Sequence, residues 1–183
     1  MTALATDRDI LAVPKVELHI HLNGSITEAT ASRLARRHGA DPRTALELVD
    51  GRYAAHWPDF NGFLGSYLKA NEFVRTPDDL EYVAAEFVRA QAAQRVSYSE
   101  AIFTAMLYVR NGMEPAAMWA ALRRGLSAGG ATFSPDAKQI VYRFADADQE
   151  RYWLCTMRVD GTHKTRITEL ADSPQGTAWA PTS

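Results

Sequence analysis

Residues 15–22, KVELHIHL, alternate like a half-buried strand and then stop at Asn23-Gly24; this short punctuated run constrains the fold more than any other part of the 183-residue chain. By the period-two rule Val16, Leu18, Ile20 and Leu22 fall on one side, and Glu17, His19 and His21 on the other. Asn-Gly is turn chemistry. A helix is expected at once, capped by the Thr27 hydroxyl and stopped after His38 by Gly39. A second is expected over 60–74, with Phe60, Phe63, Leu64, Tyr67 and Leu68 as its apolar stripe. Thr76-Pro77-Asp78-Asp79 supplies a capping hydroxyl, a proline and first-turn acids for a third. That helix carries Leu80, Val83, Ala84, Phe87, Val88 and Gln91 at helical spacing and runs to about Gln94. VSYSEAIF, Val96 to Phe103, reads as another strand, and Glu114 to Leu126 as a further helix. Strand, helices, strand, helix is the order of a parallel α/β fold, with the two strands adjacent.

The pattern changes at Ser127 to Gly130, a run of small residues suited to a junction. Short strands are expected beyond it at Gln139 to Phe144, Tyr152 to Val159 and Lys164 to Thr168, with Asp160-Gly161 as a hairpin turn. ATFSPDA, starting at residue 131, is echoed by TAWAPTS, starting at residue 177; the offset of 46 residues is near a β-propeller blade. The expected division is an α/β unit over 1–130 and a short all-β unit over 131–183.

Charge and cysteine usage exclude several function classes. The net charge of −2 makes no field that would recruit nucleic acid or an anionic membrane. Residues 101–109 form the longest near-apolar run, too short to span a bilayer, and residues 1–14 lack the n- and h-regions of a signal peptide. Cys155 is the only cysteine, so neither a disulfide framework nor a thiolate zinc cluster can form. A soluble, cytoplasmic protein is the expectation.

On a strand, residues i and i+2 share a face, so His19 and His21 present two imidazoles side by side. At the C-terminal end of a barrel strand that is half of a zinc site, since zinc takes three or four ligands. PKVELHIHLNGSI closely resembles the first-strand signature of the adenosine deaminase family, Pro-Lys-x-Glu-Leu-His-x-His-Leu-(Asp/Glu/Asn)-Gly. DFNGFLGSYLKANEFVRTPDDLEYVAAEFV resembles that family's following helical segment, VSYSEAIFTAML its second strand and MWAALRRGL the helix behind it, so the resemblance covers residues 10–126. It implies an incomplete (β/α) barrel of the TIM or amidohydrolase type and hydrolytic deamination of adenosine or a related 6-aminopurine. It further implies His19 and His21 as ligands of Zn2+, Asn23 near the sugar of a purine nucleoside or nucleotide, and Gly24 where substrate approaches closely. Asn at position 23 is similar to the branch acting on N6-substituted purine nucleotides.

After two strands the chain leaves the family pattern: His-Ala-Gly-Glu and the Ser-x-Asp-Asp-like turn do not appear, and His163, the one histidine beyond His56, sits on an expected hairpin. The tail, FSPDAKQIVY to AWAP, resembles a single TolB-type or WD-like propeller repeat, with Ala137 in place of the usual glycine. Glu100 reads either as a barrel-mouth carboxylate or as an ion-pair partner, Tyr98 and Trp119 as packing residues, and Arg33, Arg36 and Arg37 as a solvated helix face. Three readings follow: a deaminase that assembles its site from several chains, a non-catalytic interaction protein, or a truncated or fused gene product. An isolated half-barrel is expected to be inactive and to expose a strand edge for self-association.

Overall fold

The computed structural model describes residues 6–131 and, beyond them, the strands 139–145, 152–158 and 165–170. The chain separates into two compact units, Met1–Ala131 and Thr132–Ser183. In the first unit the order is α1 (Asp7–Ala12), β1 (Lys15–His21), a 3-10 turn (Leu22–Gly24), α2 (Glu28–Arg37), α3 (Pro42–Ala45), α4 (Phe60–Asn71), α5 (Pro77–Ala93), β2 (Val96–Ile102), α6 (Met106–Val109) and α7 (Pro115–Ala128). β1 and β2 pair in parallel, as the strand–helix–strand order requires.

Local chemistry sets the helix ends where the sequence marks them. The Thr27 hydroxyl accepts the Thr30 N–H at 3.3 Å, and Gly39 beyond α2 takes the left-handed φ of 77°. At α5 the Thr76 hydroxyl accepts the Asp79 N–H while the Asp79 carboxylate accepts the Thr76 N–H, a reciprocal capping box. α2 buries Ala31, Leu34 and Ala35; α5 buries Leu80, Val83, Ala84 and Phe87; α7 adds Met118, Ala121 and Leu122 to the same core. The last two helices pack backbone against backbone. A methyl on Gly125 would stand 2.2 Å from the Glu81 carbonyl oxygen, and one on Gly129 would stand 2.6 Å from the Val88 Cβ.

Two expectations are corrected. The faces of β1 are not those of simple alternation, because the pairing slips between Glu17 and Ile20: Glu17 pairs with Ser99 and Ile20 with Ala101, three residues against two. The extra residue turns Glu17 toward α5, where its carboxylate accepts the Gln91 Nε2–H at 2.6 Å, while Ile20 packs on the core. Val16 and Leu18 are left exposed at 60% and 61%, alongside exposed His19 and His21. The apolar stripe of α4 is likewise not buried. Phe60 is 70% exposed, and the helix is anchored through Ala70 and Asn71 at its other end.

In the second unit β3 (Gln139–Ala145), β4 (Tyr152–Arg158) and β5 (Thr165–Leu170) form an antiparallel sheet in the order β3-β4-β5. Gln139 pairs with Arg158 and Ala145 with Tyr152. The expected repeat of 131–137 in 177–183, and His163, lie outside the described residues.

Candidate functional site

His19 and His21 project from the C-terminal half of β1 with ring centroids 5.2 Å apart and planes inclined by 54°. Two imidazoles on one tetrahedral ion, with Zn–N bonds of about 2.0–2.1 Å, have ring centres about 5 Å apart. The pair therefore fits half of a zinc site. Among the described residues no three His, Cys, Asp or Glu side chains gather as a metal group. Glu100 is partly exposed and accepts the Tyr98 hydroxyl at 3.0 Å, so it completes no triad and forms no buried ion pair. Tyr98, expected to pack, is 50% exposed. Two imidazoles alone are fewer than the three or four ligands zinc takes, so they define no complete metal centre.

Two residues past His21 the chain turns inward. Asn23 is 2% exposed. Its Oδ1 accepts the Thr104 N–H at 2.7 Å, and its Nδ2 donates to the Tyr108 hydroxyl at 2.9 Å and more loosely to Asn71 Oδ1 at 3.5 Å. Asn71 returns a bond from Nδ2 to the Asn23 carbonyl at 2.9 Å, and the Tyr108 hydroxyl donates to Asn71 Oδ1 at 2.6 Å. Burial pushes the Tyr108 phenol far above its ordinary value, only partly offset by the amide that donates to it. Tyr108 is therefore a neutral donor at any working pH. No motif or period marks Asn71 or Tyr108 as partners of Asn23.

Beside this knot lies a cleft of about 100 Å³ lined by Asn23, Gly24, Tyr53, Trp57, Phe63 and Tyr67, among others. Ligand pockets are usually about 300–1,000 Å³, so the cleft is smaller than a nucleoside requires. Its aromatic wall is partly fixed: Trp57 Nε1 donates to the Ser66 hydroxyl at 3.0 Å and stands edge-on to Phe63 with centroids 5.3 Å apart. Burial, and then the Glu28 charge, push the Tyr53 phenol up to about 12. Gly24 is exposed with φ outside the left-handed region, and a methyl there would meet His21 and Tyr67 only at 3.6–3.9 Å. Neither backbone strain nor crowding within this chain explains the glycine.

Two of the three exposed arginines of α2 make contacts within the fold. Arg37 Nη1 lies 2.6 Å from Asp79 Oδ1, and Arg33 and Arg37 sit over the Tyr82 ring at 4.9 and 5.6 Å. No helix among the described residues is long and apolar enough to cross a membrane.

Comparison with known proteins gives the same picture at larger scale. The adenosine deaminase family profile matches residues 14–166, extending past residue 126, where the motif resemblance ends. An aminodeoxyfutalosine deaminase from Streptomyces coelicolor is 35% identical over 127 residues, 68% of this chain and 32% of the relative. An adenine deaminase from the same organism is 29% identical over 159 residues, 87% of this chain and 46% of the relative. The chain thus spans a third to a half of the length of these relatives. Among solved structures, an amidohydrolase from Burkholderia ambifaria with bound Zn is 25% identical with a TM-score of 0.52, covering 69% of this chain and 35% of that one. An Arabidopsis ADAL complexed with GMP superposes with a TM-score of 0.53 at 23% identity, over 66% of this chain and 36% of that one. Those neighbours place β1, β2 and their helices in an α/β barrel architecture, of which this chain holds an incomplete portion. The chain belongs to the adenosine deaminase family.

Proposed function

We propose that this chain carries the first-strand half of a purine deaminase site. In this reading His19 and His21 are metal ligands, and the cleft at Gly24 and Asn23 meets a 6-aminopurine nucleoside or nucleotide. The observation that carries the reading is the imidazole pair, exposed and 5.2 Å apart at the C-terminal end of a parallel strand, where barrel enzymes collect their catalytic groups. Zn2+ is the metal the donor set favours, since neutral imidazole is a common zinc ligand. When bound it would supply an acidified water for hydrolytic deamination. The chain's own contribution would be to hold the ion from one side and to line one wall of the substrate cleft.

Turnover needs more than this half supplies. Two imidazoles hold an ion loosely, and general acid–base assistance, about 10²–10⁴-fold in typical enzymes, needs a carboxyl or imidazole aimed at the reacting carbon. The reading is therefore a deaminase-type half-site that is inactive as an isolated chain. The test is zinc titration by calorimetry, with ammonia release from adenosine and AMP followed in parallel. Zinc affinity weaker than micromolar, lost in His19→Ala and in His21→Ala, with no ammonia, is the expected result. No zinc-dependent difference between wild type and the two variants would remove the metal role.

A second reading, a docking role, draws on the exposed apolar strip of Val16, Leu18 and Tyr98 on the sheet. A second copy of the chain covering that strip would run as a dimer in sedimentation, and Leu18→Lys would return it to monomer. The second unit, as a propeller-like repeat, belongs to the same proposal. Its support is the antiparallel meander of β3, β4 and β5, while the family match through residue 166 weighs against it. Limited proteolysis that cuts only between 127 and 138 and leaves two stable pieces is the result expected of an independent repeat.

A further inference from the structure

We propose that a second copy of this chain completes the metal centre begun by His19 and His21, so that one Zn2+ ion is held by four imidazoles, two from each protomer. The proposal rests on the reading of the histidine pair as metal ligands and names the partner that supplies the rest. The two rings are exposed, with centroids 5.2 Å apart, and they match half of a tetrahedral ligand set. What is missing is a second pair of donors. A two-fold axis supplies one by repeating the first, because an isologous contact presents the same patch from both sides.

The other groups of the chain do not fill the gap. Among the described residues no three His, Cys, Asp or Glu side chains gather. His38 Nε2 lies 2.8 Å from Asp79 Oδ2, and Glu100 accepts the Tyr98 hydroxyl. The surface around the pair favours a copy of itself as the occupant. Val16 and Leu18 lie on the same strand, exposed at 60% and 61%, and Tyr98, paired with Val16 on β2, is 50% exposed. Among the described residues β1 pairs only with β2, so its second edge is open. An open edge beside exposed apolar side chains is a template for another strand. A net charge of −2 sets little repulsion between copies. Four imidazoles leave zinc no open position for water, so this centre is a structural link and not a hydrolytic one.

The experiment is zinc titration and sedimentation velocity on the full chain, stripped of metal and run at two protein concentrations about tenfold apart. An ion shared by two chains half-saturates at lower zinc as protein rises, whereas one-to-one binding does not, by mass action. Expected are one ion per two chains, a dimer tightened at least tenfold by zinc and dispersed by a chelator, and the intense visible bands of tetrahedral Co2+ when cobalt replaces zinc. His19→Ala and His21→Ala truncate exposed side chains and leave the core untouched. Each should lose both the dimer response and the cobalt bands, while His56→Ala and His163→Ala should keep them. One ion per monomer, lost in the same two variants, would overturn the shared centre and leave the ligand reading standing. A zinc response that survives His19→Ala, or is lost in His56→Ala or His163→Ala, would overturn it by placing ligands elsewhere. A dimer indifferent to zinc would overturn the metal link, and no zinc binding at any concentration would take down the ligand reading with it.

Discussion

Asp79 joins two helices through a carboxylate with no exposed surface: its Oδ2 lies 2.8 Å from His38 Nε2 at the end of α2, and the same oxygen caps the start of α5. Burial pushes this carboxyl up, but the bonds from Arg37, His38, Thr76 and the Arg75 amide outweigh it and hold it below its ordinary value. A depressed folded-state value means stability that is complete above the unfolded carboxylate range, about 3.9, and is lost as pH falls through the folded value. The wild type should therefore lose urea resistance below about pH 4. Asp79→Asn should cost about 3 kcal/mol at pH 7, because it leaves a guanidinium and a helix start without their carboxylate. It should also flatten the acid limb of the stability curve. An Asp79→Asn protein with the wild-type midpoint at pH 7 would refute the account.

The α5–α7 contact gives a second, independent prediction. At Gly125 an added methyl would meet the Glu81 carbonyl oxygen at 2.2 Å and the Ala84 Cβ at 2.7 Å. Neither is the free end of a flexible side chain, so the helices must separate. Overpacking of this kind costs about 1–3 kcal/mol, against a small intrinsic gain in helix propensity. Gly125→Ala should lower the urea midpoint, and Gly65→Ala, where nothing lies within 4 Å on the same protein, should not. Equal midpoints for the two variants would mean that α7 can shift freely over α5.

The sequence carries the helix ends, the parallel pairing of β1 with β2 and the identity of the histidine pair in plain view. Caps, prolines and acids act within a turn of themselves, so Thr27, Thr76 and Gly39 can be read without knowing the fold. What is hidden depends on partners far along the chain. The slip after Glu17 is fixed by β2, some 80 residues away, and Val16 and Leu18 are left exposed, as the histidines are. Asn23 reads as a surface turn residue until Asn71 and Tyr108 close over it. The apolar stripe of α4 has the right period for burial, but Phe63 and Tyr67 line a cleft instead. Periodicity reports an apolar face and is silent on what covers it.

Gly24 separates a structural need from a ligand's need. Since a methyl there makes only ordinary contacts at 3.6–3.9 Å, Gly24→Ala should fold with a stability within about 0.5 kcal/mol of the wild type. Denaturation midpoint and Thr104 amide exchange are the measurements. A large loss of stability would show that the glycine serves the fold, and would take away the argument that its open side is kept for a ligand.

The last prediction concerns Asn23→Asp, an exchange that changes one atom type in a buried knot. Oδ1 can still accept the Thr104 N–H, but the two donations from Nδ2 to Tyr108 and Asn71 are lost. As a carboxylate the new group would be buried with acceptor atoms facing Asn71 Oδ1, an arrangement that favours its neutral form. Protonated, it regains one donor and can again reach the Tyr108 hydroxyl. Its folded-state value should therefore rise above the unfolded one, so the variant is closest to wild type at low pH and loses ground as pH rises through the raised value. At pH 7 the expected cost is about 2–3 kcal/mol, the range for a buried polar group left unpaired. Between pH 7 and pH 5 the gap to wild type should narrow. Urea denaturation of both proteins across that window is the measurement. A gap that stays constant or widens toward pH 5 would mean that the aspartate remains ionised among its neighbours, and that the knot tolerates a charge it has no donors to hold.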